Sequence, residues 1–193
     1  TPITVECSAV PNPANVTVTD NCDANPTVTY TQVRTDGSCT DTYTLTRTWV
    51  GSDACGNTAT FVQTINVRDT TQPVLSGTPS ANITVECDAV PAPANVTASD
   101  NCDASVSLTY NQTRTNGNCN YNYTLVRTWT ATDACGNAST ASQTINVQDV
   151  SAPVIAALPA PSTISCPAAP EFAQATATDE CGSAFELTFE DAT

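Results

Sequence analysis

The chain has no histidine, and its five basic residues are all arginine, so lysine is absent too. Without histidine there is no Ser-His or Cys-His pair to activate a nucleophile. Without lysine there is no Schiff base, no Ser-Lys pair and no Lys-Asn isopeptide staple. Catalysis would have to rest on carboxylates alone, and the clustered ones, Asp20, Asp23, Asp53 and their later equivalents, fall on turns where capping the backbone is their ordinary use. No enzyme is expected. Positive charge is so scarce that the net charge is −14, which excludes nucleic acid and anionic membrane surfaces as partners. No apolar run is long enough for a membrane-spanning helix, so the chain is not expected to be membrane-embedded. Methionine is also missing, as is a signal peptide, and the sequence reads as an excised or mature portion of something longer.

What the chain has is cysteine, ten in 193 residues. Their even number, small host units and lack of any CxxC pair fit disulfides formed outside the cytosol and do not fit zinc or iron-sulfur ligation, so an extracellular or cell-surface location is expected. Cys7, Cys22, Cys39 and Cys55 recur about 80 residues later as Cys87, Cys102, Cys119 and Cys135, and Cys166 and Cys181 continue the series. Well over half of the positions from Ile3 to Val74 are identical to those from Ile83 to Val154. The chain therefore divides into repeat 1 (1–69), repeat 2 (70–149) and the first half of repeat 3 (150–193). That half repeat is either truncated or completed by another chain.

The organising stretch is Tyr43 to Asn57, which returns as Tyr123 to Asn137. Tyr43, Leu45, Arg47 and Trp49 alternate with threonines, a period of two that places them on one face of a strand, the core side. Tyr123, Leu125 and Trp129 are their equivalents. The strand ends in Asp53-Ala54-Cys55-Gly56-Asn57, a turn that leaves a cysteine and a carboxylate at its tip. Four further strands are expected per repeat: Ile3 to Cys7, Asn15 to Thr19, Thr27 to Arg34 with Val28 and Tyr30 inward, and Thr58 to Val67. Asp36-Gly37 signals the hairpin between the third of these and the Trp strand. Abundant Thr and Val, frequent turns and no helical period predict an all-β fold of tandem immunoglobulin-like sandwiches of about 80 residues. Short linkers stiffened by Pro73 and Pro153 imply an end-to-end arrangement of the repeats.

The pattern ITVEC, TDNCD, RTWxxxDACGN and QTINVxDxxxPV resembles the hyalin-type (HYR) and related immunoglobulin-like repeats, especially those of large surface and secreted proteins of the Bacteroidota. The resemblance covers the whole chain. It implies immunoglobulin-like sandwiches that serve in adhesion and as spacers. On this reading the chain is a rod, stalk or filament segment of an adhesin-like protein, and its partners are neighbouring repeats of the same or identical chains. One alternative is a module gripping a cell-surface glycan or protein, although nearly every aromatic is expected on a core face. Another is a filament subunit that polymerises by strand completion.

If the five strands alternate in direction, Cys7 and Cys39 lie at one pole of a repeat and Cys22 and Cys55 at the other. Pairing within poles joins Cys7 to Cys39 and Cys22 to Cys55, and likewise Cys87 to Cys119 and Cys102 to Cys135. The rival, Cys7 with Cys22 and Cys39 with Cys55, must join opposite poles, although bonded cysteines have Cα atoms only about 4.4 to 6.8 Å apart. Arg47 and Arg127 are expected over an aromatic ring or against an acidic neighbour at the core rim. Asp69, Asp100, Asp103, Asp133 and Asn137 converge where repeat 1 meets repeat 2, and hard oxygen ligands from several loops suit Ca²⁺. The bland alternative is solvated turn caps. No cofactor is required beyond that possible ion.

Overall fold

The computed structural model describes residues 1–158, 163, 165, 175–182 and 187–188, and these are almost entirely strand and loop. They form two compact units that do not follow the repeat boundaries. The first comprises Thr1–Thr78, Asn95–Tyr110 and Trp129–Ala141; the second comprises Pro79–Ala94, Asn111–Thr128 and the chain from Ser142 onward.

In the first unit β1 (Ile3–Glu6), β2 (Thr27–Asp36), β3 (Tyr43–Ser52) and β4 (Thr58–Arg68) make one sheet in the order β1-β4-β3-β2. β3 is antiparallel to both neighbours, and β1 runs parallel to β4 with Ile3 opposite Ile65 and Val5 opposite Val67. The alternation in β3 buries Leu45 and Trp49, and β4 supplies Ile65 and Val67 to the same face. Leu45, Ile65 and Val67 form the core, with Val5, Cys7, Val10 and half-buried Tyr43 packed against it. The hairpin between β2 and β3 closes through the loop 37–42, where the Gly37 N–H donates to the Thr42 carbonyl at 2.8 Å. A Cβ on Gly37 would stand 2.7 Å from that oxygen, so the loop needs glycine for close approach.

Three expectations fail here, each for a physical reason. Tyr30 is 40% exposed, because β2 is the sheet's edge strand and nearly all its residues face solvent. Phe61 is 60% exposed, so aromatics are not confined to the core; with Tyr30 it flanks buried Trp49, at centroid distances of 5.8 and 5.2 Å. The stretch from Asn15 to Thr19 is not a strand, although Val18 lies directly over Gly51. Its counterpart in repeat 2 is β7 (Thr97–Ser99), which forms because β5 (Val74–Ser76) pairs with it antiparallel, Val74 opposite Ser99. A strand exists only by its hydrogen-bonded neighbour, and among the described residues 15–19 have none.

The second unit repeats the pattern around β6 (Asn82–Glu86), which pairs parallel with β10 (Ala138–Gln148). The sheet order is β6-β10-β9-β8, with β8 spanning Ser107–Asn116 and β9 spanning Tyr123–Thr132. Leu125, Ile145 and Val147 form its core, and Ile83, Val85, Cys87, Val90 and half-buried Tyr123 pack around them. Trp129, on the part of β9 that belongs to the first unit, is 3% exposed. From the third repeat, β11 (Val154–Ile155) pairs antiparallel with β12 (Ala177–Thr178). The strand anticipated over Phe185, Leu187 and Phe189 falls outside the described residues, apart from an exposed Leu187 that is in no strand.

Arg47 and Arg127 differ from expectation as well. Each is 3% exposed, and among the described residues neither guanidinium meets a ring or a carboxylate. Arg47 Nε donates to Gln32 Oε1 at 2.9 Å and Nη2 to the Pro11 carbonyl at 2.7 Å; Arg127 does the same with Gln112 and Pro91. The buried cation thus ties the loop after β1, or after β6, to the Trp strand, because a charge taken from water must find acceptors. The guanidinium that lies over a ring is Arg34, 3.8 Å from the centroid of Tyr43, and its counterpart Arg114 lies over Tyr123.

Candidate functional site

The site is built in the first unit from two acidic loops of repeat 2 and the linker that leaves β4. In the first loop Asp100 Oδ1 accepts the N–H groups of Cys102 and Asp103. In the second, Asp133 Oδ1 accepts those of Cys135 and Asn137, and Gly136 turns the chain at φ 90°. Asp103 ties one loop to the other, its two oxygens accepting Ser105 N at 2.7 Å and Ala134 N at 2.9 Å. Aspartate suits each place because a short acceptor side chain can fold back on its own turn.

The cysteines on these loops are bonded to repeat 1. Cys7 pairs with Cys102 at a Cα separation of 5.8 Å, and Cys39 pairs with Cys135 at 5.1 Å. In the second unit Cys87 pairs with Cys181 at 5.7 Å. This corrects the expected pairings of Cys7 with Cys39, Cys22 with Cys55, Cys87 with Cys119 and Cys102 with Cys135. The parallel β1 and β4 agree with the strand directions from which the poles were read. The error lay in closing each pole on itself: the short linker brings the acidic loops of the next repeat to Cys7 and Cys39, giving each a partner within disulfide reach. Cys22, Cys55 and Cys119 are free and exposed among the described residues, and Cys166 lies outside them.

Between the two bonds the linker adds its own carboxylate. Oxygens of Asp69, Asp100 and Asp133 lie within 4.8 Å of one another. Asp69 is 6% and Asp133 7% exposed. The Oδ2 atoms of Asp69 and Asp100 are buried without a hydrogen-bond partner. Burial pushes the Asp69 carboxyl above its ordinary range, and the nearby charges of Asp100, Asp133 and Glu6 push the same way against the single Thr71 N–H that it accepts. Asn137 braces the cluster by donating its side-chain amide to the Asp69 carbonyl and to Asp133 Oδ2. Of the five residues singled out from sequence, three converge. Asn137 faces them as a donor, and both oxygens of Asp103 are occupied by backbone N–H groups.

Sequence reasoning missed Glu6, which accepts the N–H and hydroxyl of Thr70 and so anchors the linker. Its recurrence as Glu86, which accepts the Val150 N–H in the second unit, was the available signal. In repeat 1 the equivalent turn is solvated: Asp53 accepts the side-chain and backbone N–H groups of Asn57, which hold its carboxyl below the usual range.

The family description "HYR-like domain with 4 cysteines" matches residues 1–67 and 76–147. The chain belongs to that family. Comparison with curated proteins found no match. Among solved structures this HYR-like chain is similar to the extracellular domain of protocadherin GammaB4, at 18% identity and a TM-score of 0.31 over 66% of this chain and 28% of that one. It is similar to extracellular cadherin domains 3–6 of protocadherin Gamma B2, at 16% identity and 0.34 over 92% and 53%. Domains EC1–4 of Drosophila N-cadherin give 9% identity and 0.31 over 77% and 47%. The HYR-like chain thus spans about a quarter to about a half of these longer molecules, and scores of this size carry no functional argument. Among the described residues no helix is long and apolar enough to cross a membrane.

Proposed function

We propose that this chain is a non-enzymatic, extracellular structural segment of a cell-surface or secreted adhesin-like protein. Its sequence units are 1–69, 70–149 and 150–193, and successive units are locked to one another by disulfides and by a calcium ion. The observation that carries this reading is the pair of bonds from Cys7 and Cys39 of one repeat to Cys102 and Cys135 of the next. A loosely tethered string needs no such staples, whereas a stalk that must hold its direction does. In the chain-entropy treatment a crosslink closing a loop of about 100 residues stabilises by about 4.7 kcal/mol.

The ion is supported by the chemistry of the cluster. Buried carboxylates with orphan oxygens are costly unless a cation compensates them, and Ca²⁺ takes carboxylate oxygens from flexible loops. Asp69, Asp100 and Asp133 would hold it. Calcium at a hundred times its Kd should stabilise the oxidised chain by about 2.7 kcal/mol, read as a higher melting temperature. Asp133→Ala should abolish the gain. Identical melting and scattering curves in calcium and in chelator would reduce the cluster to turn caps.

A second reading is favoured by one observation. Phe61 and Val62 are exposed in repeat 1, where repeat 2 has Ala141 and Ser142. Phe61 shares the Trp49 face of the sheet with Tyr30, and these two rings offer an apolar surface to a glycan or protein ligand. If a receptor is found, Phe61→Ala should weaken it, and unchanged binding would remove this surface from consideration.

A further inference from the structure

Repeat 1 carries the same acidic loops as repeat 2, already folded. Asp20 Oδ1 accepts the N–H groups of Cys22 and Asp23, Asp53 Oδ1 accepts those of Cys55 and Asn57, and Asp23 Oδ2 accepts Ala54 N at 2.9 Å, bond for bond as in repeat 2. The difference is cover. Cys22, Cys55, Asp20 and Asn57 are exposed, whereas Asp133 is buried and Asp100, Cys102, Cys135 and Asn137 are at least partly so.

Two independent features name what is missing. All three described disulfides obey one rule: the first cysteine of a repeat bonds the second of the next, or the third bonds the fourth. Cys22 is a second cysteine and Cys55 a fourth. In addition, residues 17–19 have, among the described residues, no antiparallel partner of the kind that Val74–Ser76, the stretch just after the linker, gives to their counterparts in β7. A thiol pair and an unpaired backbone on the same repeat therefore ask for the same occupant.

We propose that these loops of repeat 1 dock another repeat of this kind placed ahead of it in sequence. The first cysteine of that repeat bonds Cys22, its hairpin cysteine bonds Cys55, and the residues following its last strand pair with Thr17–Thr19. Sequential placement follows from the linker's part in the equivalent site, where Asp69 and Val74–Ser76 come from the connecting segment itself. Each bond forms as two thiols give up two protons and two electrons to a small-molecule disulfide, which departs as two thiols. The inference uses the pairing rule and the loops and does not depend on calcium.

The test is the full chain extended by a second copy of residues 1–80 joined ahead of Thr1. The added copy is marked by Ser8→Asp and Ser38→Asn, the residues that repeat 2 has at those places, and carries Cys22→Ser and Cys55→Ser so that its own unpartnered thiols do not enter the readout. After oxidation in a glutathione buffer, alkylation and non-reducing digestion, Cys22 should be linked to Cys7 of the added copy and Cys55 to its Cys39. Alkylation of both thiols should fall at least about tenfold relative to the parent chain. With Cys22→Ser in the native repeat, Cys7 of the added copy should become alkylatable while the other link persists. A Cys22–Cys55 bond, persistently free Cys22 and Cys55 in the native repeat, covalent dimers in place of internal links, or loss of Cys7–Cys102 and Cys39–Cys135 would each overturn the proposal.

Discussion

Gly51 and Val18 show how finely a residue pair is matched across the layers of repeat 1. A Cβ on Gly51 would stand 2.8 Å from Val18 Cγ2, and at the equivalent places repeat 2 has Ala98, smaller than Val18, and Ala131, larger than Gly51. The two repeats have thus filled one space in two ways. Gly51→Ala alone should destabilise the chain by about 1 to 3 kcal/mol through overpacking, and Val18→Ala added to it should restore most of that loss, both read from thermal melts. An unchanged melting temperature for the single variant would mean that Val18 moves aside freely. This pairing was invisible to the alternation rule, which assigns residues to faces but gives no distance between layers. What alternation does identify is the face itself: Leu45, Trp49, Ile65 and Val67 are all buried.

At the scale of the element, the same sequence pattern gives a strand in one repeat and none in the other. Thr97–Ser99 are held by Val74–Ser76, and Thr17–Thr19 have no such neighbour among the described residues. Amide exchange should therefore be slow at the ladder-bonded N–H groups of 97–99 and fast across 17–19, although both stretches alternate an apolar residue with hydroxyl residues. Equal protection would mean that side-chain packing alone holds the stretch. Local pattern proposed both strands, because period two reports which side chains share a face and is silent on which backbone pairs with which. The parallel contact of β1 with β4 is another case: strand direction was readable, but the neighbour was not. The loops were more legible, since Asp, Asn and Gly advertise turns by their own hydrogen bonding, and both acidic loops lie where those residues cluster.

For the whole molecule, repetition was plain from cysteine spacing, yet spacing identical in every copy cannot distinguish a bond within a repeat from one between repeats. That ambiguity has a mechanical side. Starting from Cys7, a covalent path crosses to Cys102, runs back along the backbone to Cys87, and crosses again to Cys181. It passes through repeat 2 using only about 15 residues, so a fully unravelled repeat could lengthen to about 50 Å, where the uncrosslinked chain of about 80 residues would reach about 280 Å. Tension applied to the ends is carried by this short route, and the rest of each repeat hangs from it as slack. Stretching the oxidised chain between attachments at Thr1 and Thr193 should show only the short extension for repeat 2, with the remainder appearing after reduction. Long unfolding steps in the oxidised chain would contradict the cross-repeat bonds. A molecule wired in this way resists elongation by its covalent bonds even when its strands have come apart.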